Sequence, residues 1–170
     1  MAVLDHLIAL IGNVNANGTI VSALVTAVGT TTGASAGFNV IDLNPSLGAA
    51  NGGELAGALD VLVQVLQTLT SAGAATIQFQ LVQADDANLT TNVQVLTQTD
   101  AFPFGLLVAG TREALNWARA APYVPRRFCG VRVVIAGAPL TNATGQFYAV
   151  VGEGFHDSPA RLFRTGFAIA

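Results

Sequence analysis

The stretch Gly73–Asn88 reads GAATIQFQLVQADDAN. From Thr76 it alternates: Ile77, Phe79 and Leu81 go to one side, Thr76, Gln78 and Gln80 to the other. That period of two is the mark of a strand with one face in a core. The run stops at Ala84-Asp85-Asp86, where short acidic side chains favour a turn by bonding their own backbone. Its polar face is made of neutral amides and hydroxyls rather than Lys and Glu. What that face meets decides how the rest of the chain is read.

Similar runs lie on both sides. FNVIDL (38–43) is a short strand closed by Asn44-Pro45, followed by the Gly-rich loop NGGELAG. ALDVLVQVLQTLT sets Val61, Val63 and Val65 against Leu62, Gln64 and Leu66; its Val content favours strand over helix. It is expected to pair with TIQFQLVQ as a hairpin across TSAGAA. NVQVLTQ (92–98) is a further strand, and AFPFG interrupts because Pro103 cannot sit in a central ladder. TREALNWARAAP has helix-forming residues, but Ala114, Asn116 and Ala118 alternate with Leu115, Trp117 and Arg119, and strand is preferred. RRFCGVRVVIAG sends Val131, Val133 and Ile135 one way and Arg132 and Val134 the other. QFYAVVGEG alternates Phe147, Ala149 and Val151 with Tyr148 and Val150. Strands with turns at roughly ten-residue spacing predict an all-β, antiparallel sandwich or barrel in one domain.

The ends read differently. In residues 1–37, Leu4, Leu7, Ile8 and Ile11 have helical spacing while TIVSALVTAV reads as strand. This N-terminal segment is extended and either stands apart from the sandwich or contributes to it. The sandwich is expected over 38–157. Residues 158–170 form a C-terminal tail or a last edge strand. Phe155, Arg161, Phe163, Arg164 and Phe167 near this end are the residue types an anchor onto a neighbour uses.

Composition narrows the function. The 170 residues are 52% hydrophobic and only 10% charged, against about 25% charged in an average soluble domain. The seven basic residues are all Arg. A surface this short of charge suggests coverage by partners; a Thr-, Asn- and Gln-rich surface that stays soluble unaided is the plainer alternative. A net charge of -3 with no basic stripe argues against nucleic acid. No run has the 18 or more apolar residues of a membrane span. MAVLDHLIALIGN lacks the basic n-region of a secretory signal. The Asn-X-Thr triplets at Asn17, Asn88 and Asn142 therefore read as turn chemistry.

No reactive constellation stands out. Cys129 is alone in an apolar run and reads as a small buried hydrophobe. Zinc needs several ligands at set spacings, and none are present. Asp85-Asp86 is a turn rather than a calcium or acid–base pair. His156-Asp157-Ser158 are neighbours in one loop, whereas a triad is assembled across a fold. No catalytic residue, metal or cofactor is expected.

The order of these segments resembles a known family. NVIDL, a Gly-rich loop, LDVLVQVLQTLTSAGAATIQFQLVQADD, PYVPRRFCGVRVVIAG and TGQFYAVV together look like the capsid cement proteins of tailed phages, of the Bordetella-phage type. The resemblance covers roughly residues 38–157. It implies a jelly-roll β-sandwich on the outer surface of an icosahedral head, made in the host cytoplasm. There it would bridge neighbouring major capsid proteins of the HK97-like fold and act as a homodimer or homotrimer, with no nucleic acid or membrane bound directly. Neutral faces suit that task, since they hydrogen-bond across an interface without the cost of burying charge. Gln78 and Gln80 are the first contact candidates, and Arg126, Arg127 and Arg132 are candidates for pairing with acidic capsid residues. The rival reading is a virion-borne or secreted carbohydrate-binding sandwich, with Trp117 and Tyr123 as its platform. A cupin-type enzyme would need a His-rich centre that His6 and His156 do not supply.

Overall fold

A computed structural model describes residues 9–11, 13–14, 20–21, 33–36, 40–42, 59–116, 126–141 and 147–153. Among them are twelve strands: β1 (Ala9–Ile11), β2 (Asn13–Val14), β3 (Ile20–Val21), β4 (Gly33–Ala36), β5 (Ile41–Asp42), β6 (Leu59–Val65), β7 (Thr76–Ala84), β8 (Gln94–Gln98), β9 (Phe102–Pro103), β10 (Arg112–Asn116), β11 (Phe128–Ala136) and β12 (Phe147–Glu153). Every pairing is antiparallel. The sole described helical piece is a 3-10 turn, Phe104–Leu106.

The strands form two sheets and a small ribbon, β2 with β3. The first sheet runs β1-β12-β6-β10. In the second, β11 and β7 are central; β4 and β5 lie in tandem along β11, and β8 and β9 in tandem along β7. With each tandem pair taken as one position, chain order fills the first sheet as one, eight, three, six and the second as two, seven, four, five. That interleaving is the order of a jelly roll. β1 and β4 both come from the first 37 residues, so that segment supplies strands to both sheets.

The alternating runs do what their period demands. Val61, Val63 and Val65 of β6 face Ile77, Phe79 and Leu81 of β7, with Val131, Val133 and Ile135 of β11 and Phe147 and Ala149 of β12, in one core between the sheets. At its centre the rings of Phe79 and Phe147 meet edge to face, centroids 5.4 Å apart at 76°. This is the favoured geometry for an aromatic pair and contributes about 0.5–1.5 kcal/mol beyond burial.

The expected hairpin between the runs at β6 and β7 does not form. β6 pairs with β10 and β12 in the first sheet, β7 with β11 and β8 in the second. Two central strands whose valine and aromatic faces both need cover satisfy each other across the core, not side by side. The connection 66–75 is longer than the about 2–5 residues of a hairpin loop. It passes over the end of the sandwich, burying Leu69 and bridging Ser71 to Leu140.

Pro103 lies in an edge strand, opposite Thr76, where its missing N–H is tolerated. Gly137 has φ +82°, and a Cβ there would stand 2.2 Å from the carbonyl oxygen of Ala74. Glycine is required at this point for the turn after β11 to close on the loop before β7.

Candidate functional site

The outer face of β7 answers the question raised by its glutamines. Gln98, Gln80 and Arg132 occupy one cross-strand row. The Arg132 guanidinium donates to Gln80 Oε1 at 2.9 Å. Gln80 Nε2 donates onward to Gln98 Oε1 at 3.0 Å and Gln78 Oε1 at 3.2 Å. Gln78 Nε2 ends the chain on the Thr99 carbonyl at 2.9 Å. Each amide oxygen points back toward the cation, so the dipoles share its charge without a carboxylate. Burial pushes the Arg132 pKa down from its ordinary value. Gln80 is 8% exposed, so the amide expected on an open contact face is used within the chain. Further along β7 the same face turns apolar: Val82, Ala84 and Leu89 pack with Val40, Val93, Val95 and Phe128.

Charge collects where β7, β11 and β5 end together. Arg126 Nη1 reaches both oxygens of Asp85, at 3.0 and 2.9 Å. Asn92 also donates to Asp85 at 2.7 Å. The Asn92 amide, then Arg126, holds the Asp85 carboxyl below its ordinary pKa. Arg127 grips Asp42 with two parallel bonds of 2.9 Å and lies over the Phe128 ring at 4.9 Å. The Asp42 carboxylate raises the Arg127 pKa in return.

Asp86 organises the turn that follows. Its carboxylate accepts the backbone N–H groups of Thr91, Thr90 and Asn88 and the hydroxyl of Thr90. The Thr91 amide leads in lowering its pKa to about 2. Within the turn Leu89 sits at φ 55° while buried, a conformation a leucine rarely adopts. The acidic pair is thus turn chemistry: one member caps the loop, the other holds an arginine. Among the described residues no three His, Cys, Asp or Glu side chains gather as a metal site would require. Cys129 is fully buried in the core, and that burial pushes its thiol pKa up.

Of the contact candidates, Gln78, Gln80 and Arg132 are brought together, while Arg126 and Arg127 sit a few residues away in separate ion pairs. Phe155, Arg161, Phe163, Arg164 and Phe167 lie outside the described residues, as do Trp117, Tyr123, His6 and His156. Sequence reasoning missed the solvent-facing Leu106 and Val108, which follow Pro103 in a run without charge from Ala101 to Thr111. That run was the available signal.

These features define a class: an antiparallel β-sandwich of two sheets with jelly-roll strand order. The chain belongs to the Bbp16 family, whose model matches residues 24–151. Bbp16 is a Bordetella phage protein family, so the chain is phage-related. Among curated proteins none matches it. Among the described residues no helix is long and apolar enough to cross a membrane.

Proposed function

We propose that this chain is a phage head cement protein. It binds the outer surface of the capsid, bridges neighbouring major capsid proteins of the HK97-like fold and braces the shell. The observation that carries the reading is the jelly-roll strand order in a chain of a phage protein family. The glutamine row on β7 and β8, tied to Arg132 by hydrogen bonds within the chain, supports it by giving the sheet a neutral outer face of fixed shape. A homodimer or homotrimer repeated over the shell lets many modest contacts act together, so that avidity replaces a single tight site.

The test is sedimentation and light scattering of the purified protein, alone and mixed with emptied heads of the same phage. A discrete oligomer that sediments with the heads at saturable occupancy and raises their heat resistance is expected. A protein that stays in the supernatant at every concentration overturns the reading.

A further inference from the structure

Three arginines of the second sheet are not equally served. Arg126 and Arg127 each hold a carboxylate, of Asp85 and Asp42. Arg132, half-buried on the outer face of the central strand β11, has an amide instead: its Nη2 donates to Gln80 Oε1. Among the described residues no carboxylate pairs with it. Its Nε is enclosed without a hydrogen bond, so a partner meets the guanidinium at its Nη end.

The bond to Gln80 sets the polarity of the whole row. A guanidinium only donates, so the Gln80 amide turns its oxygen to Arg132 and its nitrogen away. That nitrogen requires oxygens and takes those of Gln98 and Gln78. Gln78 in turn directs its own nitrogen to the Thr99 carbonyl. The amide oxygens of Gln80, Gln98 and Gln78 are thereby all engaged inside the row. What faces outward is donors: the remaining N–H groups of Arg132 and the Nε2 of Gln98, whose side chain is exposed.

We infer that this row seats an acidic side chain of the shell protein, its carboxylate set against Arg132, with a second acceptor of the same partner at Gln98. The inference rests on the cement reading. A row of donors carrying one positive charge matches a carboxylate, which only accepts and is negative. A neutral carbonyl would answer the donors but leave a charge already partly removed from water unmatched. An apolar partner would cover both and satisfy neither. Across β11, β7 and β8 the row spans about 10 Å, so Arg132 and Gln98 are met by two groups and not by one. The glutamines hold one another, so Arg132 is presented in a fixed position and little ordering is left for the contact to impose. In the chain itself Asp42 and Asp85 are paired, Asp86 is bonded by its own turn and Asp60 is buried. A second copy therefore has few carboxylates to offer, and a different protein is the better source.

The experiment measures head binding of wild type, Arg132→Met, Arg132→Lys and Asn88→Asp at several salt concentrations, with thermal melting and mass in solution. Methionine keeps an unbranched stem without the charge. Asn88→Asp, in the turn after β7, changes net charge by the same amount and is the control. Wild-type affinity is expected to fall as salt rises. Arg132→Met should lose about tenfold or more, Arg132→Lys less, because it keeps the charge without the fork, and the control nothing, with mass unchanged throughout. If Arg132→Met melts early, Arg132→Lys and the salt dependence of wild type decide. Wild-type binding that ignores salt, or undiminished binding by the Arg132 variants, overturns the inference and leaves the cement reading standing. A variant that falls to a smaller mass in solution also overturns it, because the carboxylate then belongs to a second copy of the chain. Failure of wild type itself to bind heads removes the cement reading and this inference together.

Discussion

The Arg127 guanidinium donates from Nε and Nη2 to the two carboxylate oxygens of Asp42, fastening the start of β11 to β5 across a separation of 85 residues. Both side chains are roughly half exposed, so the pair matters for where β5 sits more than for total stability. A double-mutant cycle with Arg127→Ala and Asp42→Ala should return a small favourable coupling. That coupling should shrink as salt rises, since exposed charges are screened. A coupling that persists unchanged at 1 M salt would contradict this account.

Asp86 gives the fold an acid-sensitive joint. Its folded pKa of about 2 lies below the ordinary value of 3.8. The unfolded chain therefore binds the proton first as pH falls, and stability linked to Asp86 is full above about 4 and lost toward 2. Melting temperature followed against pH for wild type and Asp86→Asn should differ most above pH 4 and converge as pH approaches 2. Parallel curves over that window would show that the carboxylate does not hold the turn.

Gly137→Ala should be among the costliest single-methyl changes in the molecule. It forces a side chain into a left-handed conformation and drives its Cβ against the Ala74 backbone. A loss of about 1–3 kcal/mol in urea unfolding is expected from the backbone conformation alone. The same substitution at Gly105, which has nothing within 4 Å of its Cβ, serves as the comparison.

Cys129 should be silent in the folded protein. Its thiol is buried between β7 and β5 with its pKa raised, and the thiolate is the reactive form. A thiol reagent is expected to label it only when denaturant opens the core, at a rate following the unfolded fraction. Rapid labelling under native conditions would mean that this part of β11 opens locally.

The central strands were legible because their periodicity carries the answer. β7, β11 and β12 each alternate bulky apolar residues with others, and the inward set is the core. The preference of the Arg112–Asn116 run for strand over helix, decided on the same alternation, agrees with β10. Partnership was not legible, because it is non-local. Nothing in the run at β6 says that it belongs with β12 from the far end of the described chain. Nor does GASA announce a strand: β4 has no β-branched residue and exists through its ladder to β11. The surroundings of the candidate residues were hidden for the same reason. The glutamines do form a neutral hydrogen-bonding face, but the cation that uses it comes from Arg132, 52 positions beyond Gln80. Arg126 and Arg127 looked free in a sequence that does not show Asp85 and Asp42 beside them.

The tandem edges of the second sheet bear on how copies can meet. An incoming strand searching for a template finds, along β7, a ladder broken between Gln98 and Phe102 and then a proline without a donor. Among the described residues the β8 and β9 rim does not offer the long uninterrupted row of backbone groups from which fibrils extend. Recognition by this sheet is thereby moved from main chain to side chain, where a few substitutions can retune it, and open-ended polymerisation is discouraged in a molecule carrying so little charge to keep its copies apart.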